Sequence, residues 1–141
     1  MITKRNIYFL DLATKQAFSS SGAGGAYLGA VLVARNRLLS FGTNQPKTHP
    51  FQVAFAKNPK ALYLHAETAA INNALKLMSK EELWSRKTTL YIARIKRSDG
   101  PRSPFVRALS KPCNGCMAAI AEHNITRVIY TVNEHEVEII K

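Results

Sequence analysis

The sequence predicts an α/β fold, a three-layer α/β/α sandwich around one mixed sheet. Segments of helical and of strand character alternate along the 141-residue chain, the pattern of helices packed on a sheet. Residues 26–34, AYLGAVLVA, are almost continuously apolar, as expected for a strand covered on both faces. No internal repeat and no linker divides the chain, and its length suits one domain, residues 1–141, with one sizeable core.

The first helix is expected over Lys4–Phe18. Lys4 and Arg5 ahead of Ile7 and Leu10 mimic the start of a signal peptide, but Asp11 and Lys15 break the apolar stretch, which leaves an amphipathic helix. Residues 19–25, SSSGAGG, form a flexible connector. Its glycines precede a strand instead of joining a strand to a helix, so a phosphate cradle is a weak reading. Strand 26–34 turns through RNR into LLSFG, a hairpin partner, with Asn36 suited to the tight turn. A long segment, 43–64, is punctuated by Pro46, Pro50 and Pro59, and loops of that length are often functional. A helix over 65–80 follows, then a strand over 88–96 and a second long loop over 97–112. The chain finishes with a helix over 113–124, a strand over 127–132 and EVEIIK as a short edge strand.

Composition narrows the function. The longest apolar run, 26–34, falls far short of the roughly 20 residues a membrane-spanning helix needs. Two cysteines three residues apart do not make a disulfide-stapled secreted domain, so a cytoplasmic location is expected. Twenty basic against nine acidic residues give a net charge of +11, which favours a phosphate-bearing partner, either nucleotide or nucleic acid.

The chemistry concentrates in two stretches. From LHAETAAINNAL (64–75) onward, Ala70, Ile71, Ala74 and, just beyond it, Met78 form one helical stripe, and Glu67 falls on it. A buried carboxylate is costly without a partner. The second stretch is KPCNGC. Pro112 suits the first turn of a helix, and Cys113 and Cys116 share one face with Met117 and Ile120. Both thiols then sit where the helix dipole favours thiolate. His65 lies two residues before Glu67 and converges with it only if His65 is not yet helical. Two thiolates and an imidazole supply three zinc ligands with a fourth position open, the arrangement of a catalytic zinc, and Glu67 would act there as proton carrier. CNGC alone also fits a redox pair or two structural cysteines. A structural zinc would need a fourth ligand: His123 lies two turns beyond Cys116, too far, whereas His49 could reach.

HAE followed by PCNGC resembles the signature of the zinc-dependent cytidine deaminase superfamily, H-x-E with P-C-x-x-C. The resemblance covers about residues 26–132 and implies a cytidine-deaminase-like fold, with Zn2+ as cofactor. It implies His65, Cys113 and Cys116 as zinc ligands and Glu67 as general acid/base. GTN (42–44) resembles the family's motif after the second strand, which places Asn44 at the substrate; Ala66, between ligand and acid, joins it. The implied reaction is hydrolytic: water attacks the amine-bearing carbon, Glu67 moves the protons, and ammonia leaves. KTHP and LYLHAETAAI are similar to phage deoxycytidylate-deaminase-like proteins, although the chain is short and has no second metal cluster, which puts nucleotide-triphosphate regulation in doubt. Lys111 stands where free-base and tRNA adenosine deaminases tend to carry an acid.

Two loops are expected to frame the pocket. The first holds Lys47, Thr48, His49, Phe51 and Phe55; the second holds Arg97, Arg102, Ser103, Phe105, Arg107 and Lys111. Lys47, His49, Phe105 and Arg107 are the expected substrate contacts, with Arg102 and Lys111 further phosphate candidates. The expected substrate is a cytosine nucleoside or nucleotide, deoxycytidylate first. The alternative is a base in single-stranded nucleic acid, gripped by charge and stacking, or another base or nucleoside such as guanine or adenosine. Members resembling this chain self-associate, so a homo-oligomer is expected. No membrane partner is expected.

Overall fold

The computed structural model describes residues 2–22, 26–47, 49–55 and 64–141. Parts of the expected connector 19–25 and of the loop 43–64, Thr48 among them, lie outside these residues. Helix α1 (Lys4–Phe18) has the expected bounds. Thr3 caps it: its hydroxyl accepts from the Asn6 amide at 3.1 Å, and Asn6 Oδ1 accepts from the Thr3 amide at 3.0 Å. Phe9, Leu10, Ala13 and Ala17 form its buried stripe.

Strands β1 (Tyr27–Ala34) and β2 (Arg37–Thr43) form the expected antiparallel hairpin. The positive φ of its two-residue turn falls on Arg35, at +56°, and not on Asn36. A short helix α2 (Pro50–Phe55) lies within the expected long loop. Helix α3 (Ala66–Ala74) ends six residues before the expected bound of 80, because Ser79 starts a new helix. The Ser79 hydroxyl accepts from the Glu82 amide at 3.1 Å, and α4 (Lys80–Ser85) buries Leu83.

Strand β3 (Thr88–Arg97) is followed by β4 (Phe105–Ala108), which the sequence pattern leaves inside a loop. Helix α5 (Asn114–Glu122), β5 (Arg127–Thr131) and β6 (Val137–Ile140) complete the chain. The sheet order is β2-β1-β3-β5-β6, with β4 continuing from β3. Among the described residues only β3 and β5 run parallel, so the sheet is mixed as expected.

Alternation along the central strands separates two cores. Ala30, Leu32, Leu90, Ile92, Val128 and Tyr130 pack with Ala70, Ile71, Ala119 and Ile120 of α3 and α5. Val31, Val33, Tyr91, Ala93 and Ile129 pack with Phe9, Leu10 and Ala13 of α1. That is the three-layer sandwich the sequence predicts. Among the described residues no helix is long and apolar enough to cross a membrane.

Two glycines set how closely helices approach the sheet. A Cβ at Gly29 would lie 2.3 Å from the Ala13 carbonyl oxygen, and one at Gly42 would lie 2.5 Å from the Ala70 nitrogen and 2.7 Å from the Ala66 carbonyl oxygen. Gly42 therefore lets the start of α3 rest on β2. Gly42→Ala is expected to cost about 1–3 kcal/mol by overpacking, read as a lower urea midpoint with an unchanged slope.

Candidate metal centre

His65, Cys113 and Cys116 meet where α3 and α5 begin. His65 is the N-cap of α3, with extended backbone (φ −82°, ψ 162°), so its ring can turn toward α5. The expectation that His65 is not yet helical holds. Cys113 is likewise the N-cap of α5, and its Sγ accepts from the Cys116 amide at 3.4 Å. Pro112 thus stands just before the cap, not within the first turn as the sequence suggests. Cys116, one turn in, is fully buried. His65 Nδ1 lies 3.2 Å from Cys116 Sγ and 3.6 Å from Cys113 Sγ, and the three candidate ligand atoms all lie within 4.8 Å of one another.

The three groups share protons unequally. A hydrogen bond from Cys116, then one with His65, pulls the Cys113 thiol down to about 4. The Cys116 thiol is pushed up, first by its bond to Cys113 and then by burial. His65 is raised because its bond with Cys113 outweighs burial. Two sulfurs and one imidazole nitrogen at this spacing fit the three protein ligands of a zinc site that keeps one position open.

Glu67, in the first turn of α3, is 5% exposed and lies against the Cys116 thiol. Burial pushes its carboxyl up, and its own backbone amide and the nearby His65 pull the other way. Burial outweighs both, so none of these neighbours offsets the cost of burying this carboxyl on an apolar stripe. Ala66 is fully buried between His65 and Glu67.

Gln52 is the residue that sequence reasoning missed. It is fully buried on α2, and its Oε1 accepts from the His65 amide at 3.1 Å and from the Thr68 hydroxyl. It fixes the cap residue that presents the imidazole. A glutamine between prolines in an expected loop gave no signal, because its role arises only when α2 packs beside α3. Gln52→Ala leaves the His65 amide without this acceptor and is expected to weaken zinc binding by roughly 10- to 100-fold, measured against a competing chelator.

Arg94 lies on the same side of the sheet. Leu90 and Ile92 face α3 and α5, so alternation puts Arg94 on that same face, half-buried, with its Nε unpartnered. It pairs across the sheet with Leu28 and Ala108.

The other expected site residues divide. Asn44 is buried at the end of β2; its Oδ1 accepts from the Ser20 hydroxyl at 2.6 Å and the Leu28 amide at 3.1 Å, and its Nδ2 donates to Ala26 at 2.9 Å. Lys47 and His49 line a groove of about 460 Å³ with Leu64, Asn72 and Lys76, and none of the three candidate metal ligands lines it. His49 Nδ1 accepts from the Phe51 amide at 3.1 Å. His49 therefore starts α2, and the three-residue group above does not include it.

Phe105 and Arg107 require a correction, because they stand on the opposite face of the sheet from α3 and α5. Segment 97–112 is not a free loop. Antiparallel pairing of β4 with β3 sets Arg107 beside Ile95 and Phe105 beside Arg97, positions that alternate with Tyr91 and Ala93 toward α1. Phe105 packs edge-on against Phe18 and Tyr27, with the Arg97 guanidinium 4.1 Å above its ring. Arg107 pairs with Asp11 at 2.7 Å and with the Thr14 hydroxyl at 3.1 Å. His123, correctly excluded from the metal, is buried beside Phe51 and Phe55 and donates from Nδ1 to Ala119 at 2.7 Å.

Solved structures share this architecture. Cytidine deaminase from Burkholderia pseudomallei superposes with a TM-score of 0.65 at 16% identity, over 96% of this chain and 91% of that one. The apo dCMP deaminase of cyanophage S-TIM5 superposes with a TM-score of 0.58 at 20% identity, over 94% and 86%. Guanine deaminase from Bacillus subtilis gives 0.54 at 25% identity, over 89% of this chain and 63% of that one. No curated protein sequence matches the chain. The sequence model described as the cytidine and deoxycytidylate deaminase zinc-binding region matches residues 3–132, nearly the whole chain, and the protein belongs to that family.

Proposed function

We propose that the protein is a zinc-dependent hydrolase that deaminates a cytosine nucleotide or nucleoside, with deoxycytidylate as the leading substrate. The observation that carries the reading is the buried Glu67 carboxyl beside the His65, Cys113 and Cys116 cluster. His65, Cys113 and Cys116 would hold the zinc, which when bound supplies Lewis-acid activation of water. Glu67 takes a proton from the attacking water and delivers it to the ring nitrogen beside the amine-bearing carbon. The water oxygen bonds to that carbon. Glu67 then carries the second water proton to the amine, the carbon–nitrogen bond breaks, and ammonia leaves a carbonyl behind. A carboxyl raised by burial is suited to accepting and returning protons in turn.

Asn44 and Ala66 are assigned to the substrate side, with Lys47 and His49 at the outer groove. For a monophosphate, Arg94 and Lys111 are the cations best placed: the first lies on the face of α3 and α5, and the second is exposed two residues before Cys113. The net charge of +11 favours a second reading, a deaminase acting on bases in single-stranded nucleic acid. Self-association and a cytoplasmic location belong to the same proposal.

The test is ammonia release from a panel of deoxycytidylate, deoxycytidine, cytidylate, cytidine, cytosine, guanine, adenosine and single-stranded DNA. Turnover of deoxycytidylate about tenfold to a hundredfold above deoxycytidine, the worth of one charge-assisted phosphate contact, is the expected result. Equal turnover of both would reject the phosphate reading. Turnover of DNA alone would establish the second.

A further inference from the structure

The end of the sheet remote from the metal centre carries an acid-free concentration of positive charge. Strand β1 ends there at Ala34, paired with Arg37 and Thr88, and β5 begins there at Arg127, paired with Thr89. The metal centre belongs to the other end, where Ser110 bonds to Ile92 and Thr131 three residues before Cys113. Four residue steps along β5 already separate the two ends by roughly 13 Å.

Two hollows open at the remote end. One, of about 490 Å³, is lined by Arg5, Arg35, Lys87 and Arg127, with Asn6 and the Tyr91 ring at its wall. The other, of about 500 Å³, is lined by Arg35, Arg37, Arg86 and Lys87. They share Arg35, Asn36 and Lys87, so they form one continuous concave surface with six basic side chains. Among the described residues, no carboxylate lines either hollow. The ion pairs among the described residues are Lys80–Glu122, Arg107–Asp11 and His135–Glu134, and none involves these cations. Arg127 adds a buried Nε without a hydrogen-bond partner. Six cations gathered without an acid repel one another, and an anion that spans them relieves that repulsion.

The distribution decides what kind of anion. The cations do not converge on one point; they follow the sheet end from α1 through the β1–β2 turn to the start of β3. An extended run of phosphates matches that spread better than a single phosphate group. Exposed aromatic side chains stand near its cations along the chain: Tyr8 is one turn from Arg5 on α1, and Trp84 precedes Ser85 and Arg86. Basic grooves with exposed aromatic faces hold single strands by charge and stacking, without reading sequence.

We infer that this pole docks the sugar–phosphate backbone of single-stranded nucleic acid, at a site separate from the metal centre. The site stands whether the metal centre takes mononucleotides or not.

The experiment measures anisotropy of a labelled mixed-sequence DNA strand of about 20 nucleotides with the zinc-loaded protein, from roughly 50 to 200 mM salt. The Arg86→Glu/Lys87→Glu pair is expected to weaken binding at least about tenfold and to flatten the log–log salt slope by about 1.4, at about 0.7 for each phosphate left unneutralised. A charge-matched control pair, Lys96→Glu/Lys141→Glu, changes net charge equally at other places and is expected to keep most of the affinity. Arg37→Glu, on β2, gives an independent reading should the first pair disturb α4. Mononucleotide deamination and zinc content are expected to stay unchanged in all of these variants. No binding by the wild type at low salt overturns the site. Equal weakening by the control pair does too, since bulk charge would then suffice. Displacement of the strand by tripolyphosphate at equal phosphate concentration also overturns it, in favour of a small polyphosphate ligand.

Discussion

Glu67→Gln is expected to keep one zinc per chain and to lose at least about 10²- to 10⁴-fold in turnover. The substitution preserves shape and most of the packing. Glu67 is 5% exposed in the first turn of α3, with Ala66, Ala69 and Ala70 buried around it, so a side chain of equal length fits. An amide accepts no proton at neutral pH and therefore cannot carry one from water to the ring nitrogen. It is also uncharged, so the desolvation that raises the Glu67 carboxyl falls away, and the variant is expected to be as stable as the wild type or more so. The proposed ligands His65, Cys113 and Cys116 are untouched, which predicts unchanged metal content by elemental analysis. Substantial residual ammonia release by the purified variant would reject Glu67 as proton carrier. Loss of zinc together with activity would move Glu67 from catalysis to support of the metal.

How much of this could be read from the sequence depends on whether the signal was local. The helix over about Lys4–Phe18 was legible, because an amphipathic stripe is a local feature. The end of α3 was overrun because the apolar spacing continues through Leu75 and Met78, while the Ser79 cap competes for the chain and wins. Strand β4 was hidden for a different reason. Residues 105–108 are too few to carry a period of their own, and they become a strand only by pairing with β3. That one omission misplaced Phe105 and Arg107: a strand assigns its residues to faces, and a loop does not. His65, Cys113 and Cys116 were legible from donor chemistry at the starts of two helices. Gln52 was not, because its bond to the His65 amide comes from the packing of α2 on α3, and the face that Arg94 takes comes from side-chain alternation on β3.

The second large effect is expected at Cys116. Cys116→Ser should reduce bound zinc from one per chain to under about a tenth and abolish deamination along with it. A serine hydroxyl does not ionise at neutral pH as a thiol does beside a metal, so one of three protein ligands is lost. Cys116 is fully buried and stands 3.2 Å from His65 Nδ1 and beside the Cys113 thiol, and the described residues place no fourth histidine, cysteine or carboxylate within the same group to replace it. A tightly held metal also stabilises the fold that binds it, by about 4 kcal/mol when free zinc is a thousandfold above its dissociation constant. Chelation should therefore lower the melting temperature of the wild type and of Glu67→Gln but leave Cys116→Ser unmoved. Separating the two variants tests both assignments at once: Glu67→Gln is inactive with metal and sensitive to chelator, whereas Cys116→Ser is inactive without metal and indifferent to it. A Cys116→Ser protein that retained stoichiometric zinc and turnover would show that the metal, if any, is held elsewhere, and the proposed mechanism would fall with the site.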